Sequence, residues 1–128
     1  MVYVLWGYLE GIFPPLEQRA NPEATAPVVA RLLEAHASAY QILHRDAAQR
    51  NQIIEVGLTQ HTRAFEPWRN WHLFDRLAAG FIQQAFIWDI FDAIESGTYA
   101  MTDSEYQRTI DGLQGTQDYV GINYYGRF

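Results

Sequence analysis

The sequence predicts an α/β domain in which helices pack against a short parallel sheet. Three observations carry that expectation. Helical and strand patterns alternate along the chain. The first strand-like run is β-branched with little polar interruption, as in a strand covered on both faces. Hydrophobic residues make up 48% of the 128, and four Trp, eight Tyr and seven Phe bring the aromatic share to 15%, enough for one folded domain over residues 1–128 with its own core.

The opening MVYVLWGYL is apolar but has no basic residues before it, and it runs about half the length of a membrane span before Glu10. It reads as core. Residues 11–27, GIFPPLEQRANPEATAP, hold four of the five prolines and read as a loop that ends in a helix start. From Pro27 to about Gln49 the apolar positions Val29, Leu32, Leu33, Tyr40 and Leu43, with His36 among them, follow the helical period. His36 is expected to be a buried, hydrogen-bonded structural side chain.

Ile53, Ile54, Val56 and Leu58 around Gly57 then predict a strand. A second helix is expected from Trp71 to about Ile94, with Phe74, Leu77, Phe81 and Trp88 on one face and a stop at Gly97. Thr102-Asp103-Ser104-Glu105 has capping-box spacing, which predicts a short helix to about Gln114 with Gly115 as its left-handed stop. Tyr119, Val120, Ile122 and Tyr124 build the last strand. Two strands cannot close a sheet, so the chain reads as an arc of a larger α/β architecture with uncovered edges.

Charge narrows the function classes. The formal charge is −6, the pI is near 5.0 and no run of Lys or Arg forms a phosphate-binding stripe, so no nucleic-acid partner is expected. With no cysteine there is no disulfide, thiolate nucleophile or Cys-based metal site, and a cytoplasmic location is expected. His36, His44, His61 and His72 form no metal-ligand spacing, so neither metal nor cofactor is expected. No membrane partner is expected either.

Five stretches, in collinear order, resemble one known family. GYLEGIFPP is similar to G-Y-x-x-G-x-x-P-P-G, LLEAHASAYQILH to a helix with L-x-A-H-A-x-A, and IIEVGLTQH to a strand with I-G-I. FEPW with FDRLAAGFI resembles an E-P loop and a D-x-A-A helix, and LQGTQDYVGINYYGRF resembles L-x-G-S-x-D-F-I-G-I-N-Y-Y. All belong to the family 1 glycoside hydrolases, the β-glucosidase family, whose fold is the (β/α)8 barrel. The last motif is the most specific.

The resemblance implies a partial barrel of two to three parallel strands, from just after the family's N-E-P motif to its sixth strand. It implies β-glucosidase-like hydrolysis of O-glycosyl bonds in carbohydrate metabolism, with a β-glucoside-type sugar as substrate. It also implies a deficit. The family's acid/base Glu lies in T-x-N-E-P and its nucleophile in T-E-N-G, and neither N-E-P nor E-N-G occurs in this sequence. Retaining glycosidases need two carboxyl groups about 5–5.5 Å apart. No catalytic residue is therefore assigned, and the isolated chain is expected to be inactive.

By resemblance, Asn123 and Tyr125 match the Asn and second Tyr of N-Y-Y and would face the active-site mouth, the Tyr orienting the nucleophile. His61 stands where the family has a cleft-lining Asn. His61, Glu10 and Trp68 are the candidates for the cleft rim. Among Glu10, Glu55, Glu66, Asp75 and Asp118, only Glu10 lies where a substitute carboxylate could act. The alternative function is a non-catalytic module that self-associates through its open edges and binds sugar weakly at most. Homo-oligomers are expected on either reading. A third reading is an independent enzyme using Glu10, His61 and Tyr125.

Overall fold

The computed structural model describes residues 2–127. The chain opens with a helical turn, α1 (Val2–Val4), which runs on as one π-helical turn, Leu5–Leu9. After the proline-rich loop, a 3-10 turn (Glu23–Thr25) leads into α2 (Ala26–Gln49), where Pro27 sits in the first turn, the one place in a helix at which its missing N–H costs nothing. Ala26, Val29, Ala30, Leu33 and Ala37 form its buried stripe. Leu32 and Leu43 lie off that stripe and are exposed, and His36 is half-buried rather than buried. The His36 Nε2 does bond the Thr116 carbonyl, at 2.7 Å.

The strand β1 is Gly57–Ala64, later than the β-branched run suggests. Ile53 is 99% exposed and lies outside any ladder. Pairing decides the start: β1 lies parallel to β4 (Tyr119–Arg127) with Gly57 against Tyr119 and His61 against Asn123. A side-chain carbon on Gly57 would collide with the Tyr119 carbonyl, so the two backbones close only where the residue is Gly.

The second helix is a chain of three pieces: α3 (Leu73–Gln83), a π-helical turn (Gln84–Trp88) and α4 (Asp89–Ser96). Gly97 ends it in the left-handed conformation at φ 79°, its N–H bonded to the Ala93 carbonyl at 2.8 Å. By length and composition, Leu73–Ser96 is apolar enough to cross a membrane. In the fold, Ile87, Ile90, Ala93 and Ile94 are buried, and Asp89 is buried with hydrogen-bond partners.

The expected capped helix after Thr102 is absent. In its place an antiparallel pair joins β2 (Thr98–Ala100) to β3 (Gln107–Thr109). The cause lies outside the segment: the Thr102 hydroxyl donates to Asp89 Oδ1 on α4 at 2.6 Å. Asp103 sits at φ 59°, which ends helical continuation there. Gly115 does take a positive φ, but it closes a turn rather than a helix.

The main core lies between α2, α4 and β2, where Leu33, Ile90, Ala93, Tyr99, Ile110 and Leu113 pack together with Leu58 of β1 against them. Parallel β1 and β4 backed by helices make a sector of a (β/α)8 barrel. Asp118 ties the start of that sheet to α2. Its carboxylate accepts from the Tyr40 hydroxyl at 2.6 Å and the Val56 N–H at 2.8 Å, and lies 2.8 Å from His44 Nε2.

Candidate functional site

Side chains alternate across a strand, and residues paired across a parallel ladder share a face. Gln60 and Thr62 of β1 face the helices with Ile122 of β4: Gln60 donates to the Phe86 carbonyl at 2.9 Å, and Thr62 and Ile122 line a groove with Ile87 and Phe91. Thr59, His61 and Arg63, with Gly121, Asn123 and Tyr125, therefore share the opposite face. Gly121 is tightly fitted there, because a side-chain carbon on it would strike the Thr59 hydroxyl.

This face gathers three of the expected residues. The His61 imidazole stacks flat on the Tyr125 phenol, with ring centroids 4.3 Å apart and planes 8° from parallel. The Phe86 ring meets His61 edge-on at 5.7 Å. Asn123 is the ladder partner of His61 and is exposed, and its backbone carbonyl accepts from the Thr62 hydroxyl at 3.2 Å.

Glu10 and Trp68 do not join them by any hydrogen bond or ring contact. Glu10 is exposed where the first π-helical turn ends, its N–H bonded to the Leu5 carbonyl at 2.8 Å. Trp68 is 92% exposed on the loop after β1 and lines a separate cavity of about 300 Å³ with Phe65, Glu66 and Asp75. Glu55 precedes β1 altogether.

Arg63 was not among the expected site residues. Its Nε donates to His61 Nε2 at 3.0 Å. An i, i+2 pair meets on one face of a strand, so the sequence held that signal, hidden by a strand assignment that ended too early. Burial first, and then the Arg63 charge, push the His61 pKa below its ordinary 6.5. The ring is therefore neutral at pH 7, with Nε2 occupied by Arg63 and Nδ1 carrying the proton. That state disfavours His61 as a general base and suits it to hold a stacked ring and offer one donor.

No residue at positions 59, 61, 63, 121, 123 or 125 is a carboxylate. Nearby, Glu66 pairs with Arg127 at 3.4 Å, and Asp75 is clamped by the Arg69 guanidinium, which holds its pKa down to about 2. Neither is set to protonate a leaving group. Among the described residues no cluster of three or more His, Asp or Glu could hold a metal ion.

A parallel strand pair with its polar face near the strand C-termini, backed by helices, is the layout of an active-site wall in a barrel enzyme. Comparison with known proteins bears on that layout directly. The chain superposes on a β-glycosidase from Pyrococcus horikoshii with a TM-score of 0.79 and 34% identity, over 97% of this chain and 26% of that one. The likeness is to the β-glycosidase barrels, across about a quarter of one. A β-glucosidase double mutant from Trichoderma harzianum superposes equally well, with a TM-score of 0.79 over 98% of this chain and 28% of its own, and at 23% identity it speaks for the fold alone. In sequence, the chain is 26% identical to a raucaffricine-O-β-D-glucosidase from Rauvolfia serpentina over 93% of its length, and spans 28% of that protein. No protein-family model matches the chain. The β-glycosidase likeness runs over nearly the whole chain.

Proposed function

We propose that this chain supplies one wall of a β-glucoside-binding cleft of the glycoside hydrolase family 1 type, and that alone it binds such a sugar weakly without cleaving it. The observation that supports this reading is the stack of His61 on Tyr125, with Asn123 beside it, at the C-terminal half of two parallel strands. Sugars are held by amide and phenol hydrogen bonds to hydroxyls and by ring faces against C–H surfaces, and this face offers both.

Hydrolysis is another matter. Double displacement needs one carboxylate to attack the anomeric carbon and one carboxylic acid to protonate the leaving oxygen. The face has neither. The β-glucosidase activity is accordingly a property of a complete barrel, and the isolated chain is inactive.

The test is an assay of the purified chain against an aryl β-glucoside at millimolar concentration, beside its Glu10→Gln variant. No release of the aryl group from either protein is expected. Turnover that disappears in Glu10→Gln would overturn the non-catalytic reading and restore Glu10 as a working carboxylate.

A further inference from the structure

The bond between Arg63 and His61, two residues apart on β1, fixes which protons the imidazole carries. The Arg63 Nε–H donates to His61 Nε2 at 3.0 Å. A guanidinium has no lone pair to offer and keeps its charge at any working pH, so the ring nitrogen that meets it must be the acceptor, whichever way the ring is turned. The other nitrogen therefore holds the single proton.

The same ring is the platform for Tyr125. The planes lie 8° from parallel with centroids 4.3 Å apart, and the stack is the one ring contact of Tyr125 among the described residues. Tyr125 is otherwise 64% exposed, so its place depends on where His61 sits.

Protonation works against this arrangement. An imidazolium carries an N–H on both nitrogens, so Nε2 would turn a donor toward the Arg63 N–H with no acceptor between the two cations. The groups that face the ring do not offset that. The Tyr125 phenol, the Phe86 ring from the π-helical turn and the Asn123 amide across the ladder are neutral, and the amino terminus adds a further, weaker positive charge. Attraction between an imidazolium and the phenol face pulls the other way but is weak at a half-exposed site, and the lost bond and the repulsion outweigh it.

We propose that Arg63 is a positioning residue for Tyr125: it keeps His61 neutral and stacked, and uptake of a proton by His61 releases the Tyr125 ring. Burial and then the Arg63 charge place the His61 midpoint below 6.5, so the latch is closed at pH 7 and opens as pH falls through that midpoint. The latch stands on geometry alone, while its consequence for sugar rests on the reading of this face as a cleft wall. On that reading, affinity is constant above pH 7 and falls about tenfold per pH unit below the His61 midpoint, because only the neutral fraction is competent to bind.

NMR titration of the full chain from mildly alkaline to mildly acidic pH tests the latch without any sugar. The Tyr125 ring protons are expected to shift with the His61 midpoint, while Tyr124, paired with Thr62 on the other face, stays flat. Arg63→Gln, whose amide oxygen can accept from a protonated ring, should carry both midpoints up together toward 6.5. Arg63→Lys, which keeps the charge, should bring both back down, and His61→Phe, which keeps a ring without a proton, should leave Tyr125 with no titration. The proposal is overturned by a Tyr125 midpoint of its own, by midpoints that separate or stay in place in Arg63→Gln, or by a Tyr125 titration that survives His61→Phe. Methyl β-glucoside titrations at the two ends of the pH range keep the two readings apart. No binding at either end sinks the sugar reading alone, whereas equal binding at both ends while the rings titrate overturns the latch as a control on the face.

Discussion

Replacing Asp89 with Ala should cost a large share of the stability of this chain. Asp89 is 4% exposed at the first residue of α4. Its Oδ2 accepts the Thr102 N–H at 2.8 Å and its Oδ1 the Thr102 hydroxyl at 2.6 Å, with Gln84 Nε2 further off at 3.3 Å. Two short bonds to a charged acceptor contribute about 1.5–3 kcal/mol each, and water reaching the half-exposed Thr102 recovers part, so the expected loss is about 2–4 kcal/mol. Urea unfolding at fixed protein concentration, followed by Trp fluorescence and far-UV CD, measures it. Asp89→Asn, which keeps one acceptor oxygen, should fall between wild type and Ala. A double-mutant cycle with Thr102→Val isolates the pair, and its coupling should exceed about 0.5 kcal/mol. If Asp89→Ala lies within about 0.5 kcal/mol of wild type, the carboxylate is not what fixes the β2–β3 turn.

Acid should loosen the sheet's tie to α2. The Tyr40 hydroxyl, then the Val56 N–H and His44, hold the Asp118 pKa below its ordinary 3.8, so its contribution is full above that value and fades as pH falls below it. Asp118→Asn should flatten the acid limb of a stability–pH curve, and an unchanged limb would place the acid sensitivity elsewhere. At the candidate site, Arg63→Gln should raise the His61 pKa toward 6.5, read by NMR titration of the ring protons; a value that stays put would leave burial as the whole cause. Gly57→Val should drive a side chain into the Tyr119 carbonyl and destabilise the β1–β4 ladder by about 2–3 kcal/mol, with exchange protection lost first in those strands. A neutral substitution there would mean that the strands have room to part.

How far the sequence spoke for itself depended on whether a segment's pattern served its own element or a distant one. The helix α2 was legible to within a residue, because a long stripe of Val29, Ala30 and Leu33 against one core leaves a clear period. The strand β4 was legible from its alternation. In contrast, β1 was placed too early, because the β-branched residues Ile53, Ile54 and Val56 drew its start ahead of Gly57, where pairing with β4 begins; Gln60 is polar yet buried, its amide donating to the Phe86 carbonyl. Thr102 read as a helix cap because its spacing to Glu105 was right, while its real partner is Asp89, thirteen residues back. Of the candidate residues, Asn123, Tyr125 and His61 share one strand face, as the period of two along each strand dictates. Glu10 and Trp68 lie on loop segments, where no periodicity fixes in the sequence which way a side chain points.

The most direct test of the central reading, that the inner face of β1 and β4 is a sugar-binding wall, is an NMR titration of the isotope-labelled chain with methyl β-glucoside to tens of millimolar. Shift changes confined to His61, Asn123 and Tyr125, with Val120 and Ile122 on the outer face unmoved and no hydrolysis of the glycoside, are the predicted result. Perturbations that cluster on the outer groove, or that survive Tyr125→Ala unchanged at the inner face, would contradict it.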